Sequence, residues 1–195
     1  MTQTATAEQV EALEDQIREA KKKLAALRRK VPARKVKDYV LKDSLGRNVK
    51  LSELFGDRDE LIVVHNMGTG CPYCTLWADG FNGILKHIES RAAFVVASPD
   101  DPSKQRRFGN ERGWKFRMVS TRGTTFRKDM GYQGAKESQP WPGVSVFTRD
   151  REGKIRHVSD SGFGPGDNYC VLWDLIDLLP GGQGKWDVKF HYYKE

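Results

Sequence analysis

The stretch LIVVHNMGTGCPYC, residues 61–74, constrains this chain more than any other. It opens with an apolar run bounded by glycine, the pattern of a strand covered on both faces. Gly68 and Gly70 break the run. Pro72 then stands where a helix accepts proline readily, because the amide it lacks would have had no partner in the first turn. Leu76, Trp77, Phe81, Ile84, Leu85 and Ile88 follow at helical spacing to about Glu89, with Gly80 and Gly83 weakening the helix. A buried strand that feeds a helix through a short glycine turn needs a sheet with helices packed on it. The same turn delivers two cysteines, Cys71 and Cys74, to the strand–helix junction.

The rest of the chain supplies the remaining parts of such a sheet. AAFVVAS (92–98) reads as a second buried strand, the segment after it as a cap and helix ended at Gly113, and KFRMVS as a third strand. TTFRKDMGY is a short helix, and PGVSVFTRDREGKIRHVSDS is a strand, a turn at 150–153, and a strand. DNYCVLWDLIDLL (167–179) is a closing helix, stopped by Pro180-Gly181-Gly182. Upstream, DYVLKDSLGRNVKLSEL predicts a hairpin turning at 45–48, with Ser52 capping a brief helical turn. The alternation predicts an α/β fold, a mixed central sheet flanked by helices, with its site beyond the carboxyl ends of the parallel strands.

Residues 7–31 stand apart. Val10, Leu13, Ile17, Ala20, Leu24, Leu27 and Val31 recur every three or four positions in one helix that Pro32 stops. So polar a helix is not stable alone, and its stripe must pack on something. The choices are the parent domain or a second chain, which would make a homodimer through residues 7–31. The chain thus divides into an N-terminal amphipathic helix with a basic linker (1–36) and one domain (37–195).

Charge follows the same division. Residues 1–37 hold ten Lys/Arg against five Asp/Glu, so most of the net +7 lies there and the remainder is nearly balanced. Basic helical faces and linkers are usually solvated, and nothing here calls for a nucleic-acid partner. No apolar run approaches the roughly 18–20 residues that cross a bilayer. The polar, acidic N-terminus does not read as a secretory signal. Three cysteines are too few for a disulfide framework, so a reducing cytoplasm is the expected compartment, where CxxC means redox or metal chemistry.

At a helix N-terminus, unpaired amides and the helix dipole favour a thiolate. Cys71 is placed there, and Cys74 lies nearly one turn on, within bridging reach. Cys71 would attack a disulfide, and Cys74 would resolve the mixed disulfide. Three other outcomes stay open for the pair. Zinc would need four ligands, and without a second CxxC it would have to recruit His65, His157 or Cys170. An iron–sulfur cluster would have to bridge two subunits. An inert buried pair needs no chemistry. No metal or cofactor is expected. Cys170, among apolar residues, reads as a small core side chain. FGPGDNY (163–169) reads as a turn that caps the last helix through Asp167.

CPYC is the active-site tetrapeptide of dithiol glutaredoxins, and its strand–CxxC–helix setting resembles the thioredoxin superfamily. YVLKDSLGRNVKLSELFG and VVASPDDPSKQRRFGNERGWKFRMVSTRGTTFRKDMGY are similar to that superfamily's peroxiredoxin and TlpA-like branch. RRKVPARKVKDYV, CPYCTLWADGF, PGVSVFTRD and LIDLLPGGQGKW resemble the DUF899 family of predicted dithiol-disulfide oxidoreductases across nearly the whole chain.

The resemblance implies a thioredoxin-like fold and a thiol-disulfide oxidoreductase with Cys71 as nucleophile and Cys74 as resolver. Its substrate would be a disulfide-containing protein or a small-molecule thiol, with an unknown reductant. It also implies a cis-proline facing the cysteines. Pro142 is chosen for that place because Phe147 follows at the superfamily's spacing, and Trp141 would offer backbone groups to the substrate. His65 stands where thioredoxins carry a buried Asp, and would accept the Cys74 proton. Gly70 replaces the usual Trp and opens the mouth around the sulfurs, with Thr69 beside it at the substrate. Peroxiredoxins want Thr or Ser three residues before the reactive cysteine. That position is Gly68 and Thr69 is one off, which argues against a dedicated peroxidase. A thiol peroxidase and a non-catalytic scaffold dimerised by its N-terminal helix are the alternative readings.

Overall fold

The computed structural model describes residues 6–136 and 138–192. Its first element is helix α1 (Ala7–Arg28), opened by a capping box in which Thr6 and Gln9 exchange backbone and side-chain hydrogen bonds. Then come strands β1 (Arg34–Lys35), β2 (Val40–Asp43) and β3 (Asn48–Lys50), a 3-10 turn at Leu51–Phe55, and β4 (Glu60–His65). Helices α2 (Pro72–Gly83) and α3 (Leu85–Glu89), β5 (Ala93–Ser98), α4 (Pro102–Glu111), β6 (Arg117–Ser120) and α5 (Phe126–Asp129) follow. The hairpin β7 (Gly143–Arg149) and β8 (Ile155–Gly162) precedes the closing helix α6 (Val171–Asp177).

The strands form one mixed sheet in the order β1-β8-β7-β4-β5-β6-β2-β3. β4, β5 and β6 run parallel, while β7 pairs antiparallel with β4 and brings Gly143 opposite His65. Side chains alternate across the sheet and build two cores. On one face Leu61, Val63, Val95, Ala97, Val119 and Phe147 pack with Leu51, Leu54, Phe55 and Phe126. On the other, Ile62, Val64, Phe94 and Val96 pack with Trp77, Phe81, Leu85 and Trp173. Leu61 and Val63 point one way and Ile62 and Val64 the other. The apolar run at 61–64 therefore reads as a strand buried on both sides.

Several boundaries differ from expectation, each for a local reason. The helix after the cysteines breaks at Ile84, just past Gly83. The first hairpin turns earlier, because the Asp43 carboxylate accepts the amides of Leu45 and Arg47. Ser52 does not cap; its amide and hydroxyl donate to Asp38. Asp167 does not cap α6 either. It accepts the amides of Gly164 and Tyr169 within the loop, and Cys170 takes the cap position.

Helix α1 buries none of its residues. Only Ala26 and Arg28 are even half-buried. Arg28 donates to Ser161 Oγ at 3.0 Å, fixing that end of the helix to the domain. The stripe does not pack on its own domain. Among the described residues no helix is long and apolar enough to cross a membrane.

Candidate active site

Cys71 is the N-cap of α2, with Pro72 in the first helical position. Its Sγ accepts the Cys74 amide at 3.1 Å, in the place a Ser or Asp oxygen would occupy at an ordinary cap. The thiol is half-exposed, whereas Cys74 is buried in the core beneath. Cys74 Sγ in turn accepts the Met67 amide at 3.3 Å.

The two thiols have opposite acidities. Cys71 is lowered to about 7, chiefly by the hydrogen bond from the Cys74 side chain and then by the amides of Cys74 and Tyr73, against opposing desolvation. Cys74 is pushed well up, because its S–H donates a hydrogen bond to Cys71, it is desolvated, and it faces the Cys71 charge. An accessible thiolate beside a buried, protonated thiol is the arrangement a nucleophile and a resolving thiol require.

The GTG turn is held from two sides. The Asn66 amide donates to the Cys74 carbonyl at 3.3 Å and accepts the Gly68 amide at 2.7 Å. Asp100 accepts the Thr69 amide at 2.6 Å and the Lys104 ammonium at 3.0 Å. Gly68 has φ +112°, and a Cβ there would lie 2.7 Å from Asp100 Oδ2, so this position requires glycine on both counts. Gly70 is exposed with open space beside it. On the far side the C-terminal segment packs against α2. Tyr73 donates its hydroxyl to Asp187 at 2.7 Å, and Val188 is buried in the same core.

Asn66, Asp100 and Asp187 were not anticipated from the sequence. Asp100 left a trace there. In SPDDP one aspartate suffices to cap α4, and Asp101 does so through the Ser103 amide. Its neighbour is thereby available to hold the turn.

His65 requires a correction. Its ring lies on the opposite face of the sheet from Cys74, stacked on Tyr132 at 3.9 Å and Phe126 at 5.6 Å. Nε2 is hydrogen-bonded to Ser145 Oγ at 2.9 Å. Complete burial, aided by the His157 and Arg127 charges, lowers it to about 3, so the ring is uncharged at neutral pH and is a weak acceptor of a second proton. His65 cannot take the Cys74 proton, because strand alternation turns it away from α2.

Pro142 is also corrected. It stands at the entrance to β7, one residue beyond the Gly143–His65 pair, which brings it to the end of the sheet where β4 releases the cysteine turn. The described residues contain no cis peptide bond, so Trp141–Pro142 is trans. Hydrogen bonds hold both residues. The Trp141 amide donates to the Tyr132 carbonyl at 2.9 Å, and the Pro142 carbonyl accepts the Phe163 amide at 3.0 Å. The Trp141 amide expected to meet a substrate is therefore already engaged. Its indole is exposed. Among the described residues no three His, Cys, Asp or Glu side chains cluster as a metal would need.

A family model described as "Bacterial protein of unknown function (DUF899)" matches residues 3–195. Among solved structures, the peroxidoxin BcpB from Mycobacterium tuberculosis is similar with a TM-score of 0.55 and 24% identity, over 67% of this chain and 84% of that one. A peroxiredoxin-like protein from Aquifex aeolicus gives 0.51 and 18% over 67% and 74% of the two chains. A thiol peroxidase from Chromobacterium violaceum gives 0.52 and 17% over the same shares. No curated protein sequence matches. The fold is thioredoxin-like, as the strand–CxxC–helix arrangement implied.

Proposed function

The chain belongs to the DUF899 family, and on that footing we propose that it is a thiol-disulfide oxidoreductase working through Cys71 and Cys74. The observation that carries the reading is the opposed state of the two thiols, one half-exposed and lowered to about 7, the other buried and raised. The Cys71 thiolate attacks one sulfur of a substrate disulfide, forms a mixed disulfide and expels the other sulfur as a thiolate. Cys74 then loses its proton and attacks Cys71 Sγ. That releases the second substrate thiolate and leaves a Cys71–Cys74 disulfide, so two electrons pass to the substrate. A dithiol reductant returns the pair to its starting state.

The Met67 amide at Cys74 Sγ supports the second step, since it meets the sulfur as it becomes an anion. The open side of Gly70 and the turn at Thr69 are where the substrate disulfide approaches. The exposed Trp141 indole, just before the strand that pairs with β4, offers apolar surface at that end of the sheet.

The test is reduction of a model protein disulfide with dithiothreitol as the electron source, comparing wild type with Cys71→Ser and Cys74→Ser. Cys71→Ser is expected to be inactive, and Cys74→Ser to accumulate the mixed disulfide on Cys71, visible by mass. Equal rates for wild type and Cys71→Ser would refute the reading. A parallel arm supplies peroxide in place of the disulfide. Faster turnover of peroxide than of disulfide would move the assignment to a thiol peroxidase.

A further inference from the structure

Helix α1 carries an apolar stripe that its own domain leaves bare. Val10, Leu13, Ile17, Leu24 and Leu27 are all about half-exposed or more, and among the described residues the domain shields the helix only near Ala26 and Arg28. The stripe keeps a seven-residue repeat from Val10 to Leu27, about 27 Å of helix at 1.5 Å per residue. The helix is also divided by charge. Residues 7–17 carry Glu8, Glu11, Glu14 and Asp15 with no basic residue, while 18–28 carry Arg18, Lys21, Lys22, Lys23 and Arg28 against Glu19 alone.

We propose that α1 pairs with α1 of a second copy of this chain, antiparallel, to form a two-helix coiled coil that joins two domains. Charge decides the direction. A parallel pair would lay acidic half on acidic half, and would set Lys23 beside the partner's Arg28 in the flanking positions of the repeat. The antiparallel pair lays acidic half on basic half.

The register follows from the stripe. Val10 meets the partner's Leu27, Leu13 the partner's Leu24, and Ile17 the partner's Ala20, and the two-fold axis passes between Arg18 and Glu19. Every apolar layer is then filled. Glu14 lies beside the partner's Lys21, twice by symmetry. The Arg28–Ser161 bond holds each domain to the C-terminal end of its own helix, so the two domains lie at opposite ends of the rod. This pairing is independent of the thiol chemistry.

Sedimentation of the full chain at tens of micromolar should give a dimer. Ile17→Lys should give a monomer with an unchanged melting temperature, because Ile17 is exposed in the single chain. Glu14→Lys and Lys21→Glu should each weaken dimerisation roughly tenfold by facing like charges. Mixed one to one, the two variants should pair at wild-type strength, because opposite charges face each other again. Each of three outcomes would overturn the proposal: a monomeric wild type, a dimer that Ile17→Lys leaves intact, or a mixture no tighter than either variant alone.

Discussion

At the end of β4 the two faces of one sheet hold chemically similar groups in opposite conditions. On the α2 face Cys74 is buried, but its sulfur meets the Met67 amide and lies below a half-exposed Cys71. On the other face His65 is equally buried and titratable. Its neighbours are Tyr132, Phe126 and Ser145, and its Nδ1 has no hydrogen-bond partner among the described residues. Burial alone shifts both groups toward their neutral forms. The α2 face adds donors aimed at sulfur and a route to solvent, and those additions set the dithiol apart from a polar group held in a core.

The sharpest break of that comparison is at Cys71. Cys71→Ser should lower disulfide turnover roughly a thousandfold or more, equivalent to about 4 kcal/mol of transition-state stabilisation. Thermal stability should scarcely change, because the hydroxyl can accept the Cys74 amide as an ordinary cap. A variant that melted far lower would mean the cysteine serves structure on this face too.

His65→Ala should behave in the opposite way. It removes a fully buried ring stacked between two aromatics and leaves Ser145 Oγ without that partner, at a cost of about 3 kcal/mol in unfolding experiments. Turnover per folded molecule and the thiol titration should match wild type. A raised titration midpoint for Cys71 in this variant would couple the two faces and undo the distinction.

Much of this was legible in the residues, and the failures have a common cause. Apolar periodicity marks β4, β5 and β7, and Pro72 after Cys71 marks a helix start, because those signals are local in the chain. The sequence spacing does not place His65, because its position relative to Cys71 says nothing about which face of β4 it occupies. Counting alternation from Val64, which packs on the α2 side, would have placed His65 on the other. Asn66 and Asp100 were missed because a polar residue that holds a turn has no spacing rule, and Asp100 lies 31 positions from the Thr69 amide it accepts. The trans peptide before Pro142 depends on packing, to which the sequence pattern is nearly blind.

Within the α2 face the two cysteines can be compared by titration. Cys71 is lowered, so its thiolate forms as pH rises through about 7, and the alkylation rate should climb there and level off above. Cys74→Ala removes the largest cause of the lowering while the backbone amide of that position remains. The midpoint should move up by about one unit, toward the ordinary thiol value near 8.5. An unchanged midpoint would assign the lowering to the helix end and its amides instead.

The smallest effect is expected at the rim between the faces. Pro142 is half-buried, trans, and accepts the Phe163 amide through its carbonyl. Alanine can adopt the same extended backbone and keep that hydrogen bond. Pro142→Ala should therefore cost no more than about 1 kcal/mol, mostly through greater freedom of the unfolded chain. Turnover should change less than threefold, a barrier change of at most about 0.7 kcal/mol. Trp141→Ala is the matched control, since it removes an exposed indole and leaves the amide bond to Tyr132 in place. A rise in KM with kcat unchanged in Trp141→Ala alone would make the indole the substrate contact at this rim. The same rise in Pro142→Ala alone would return that role to the proline ring.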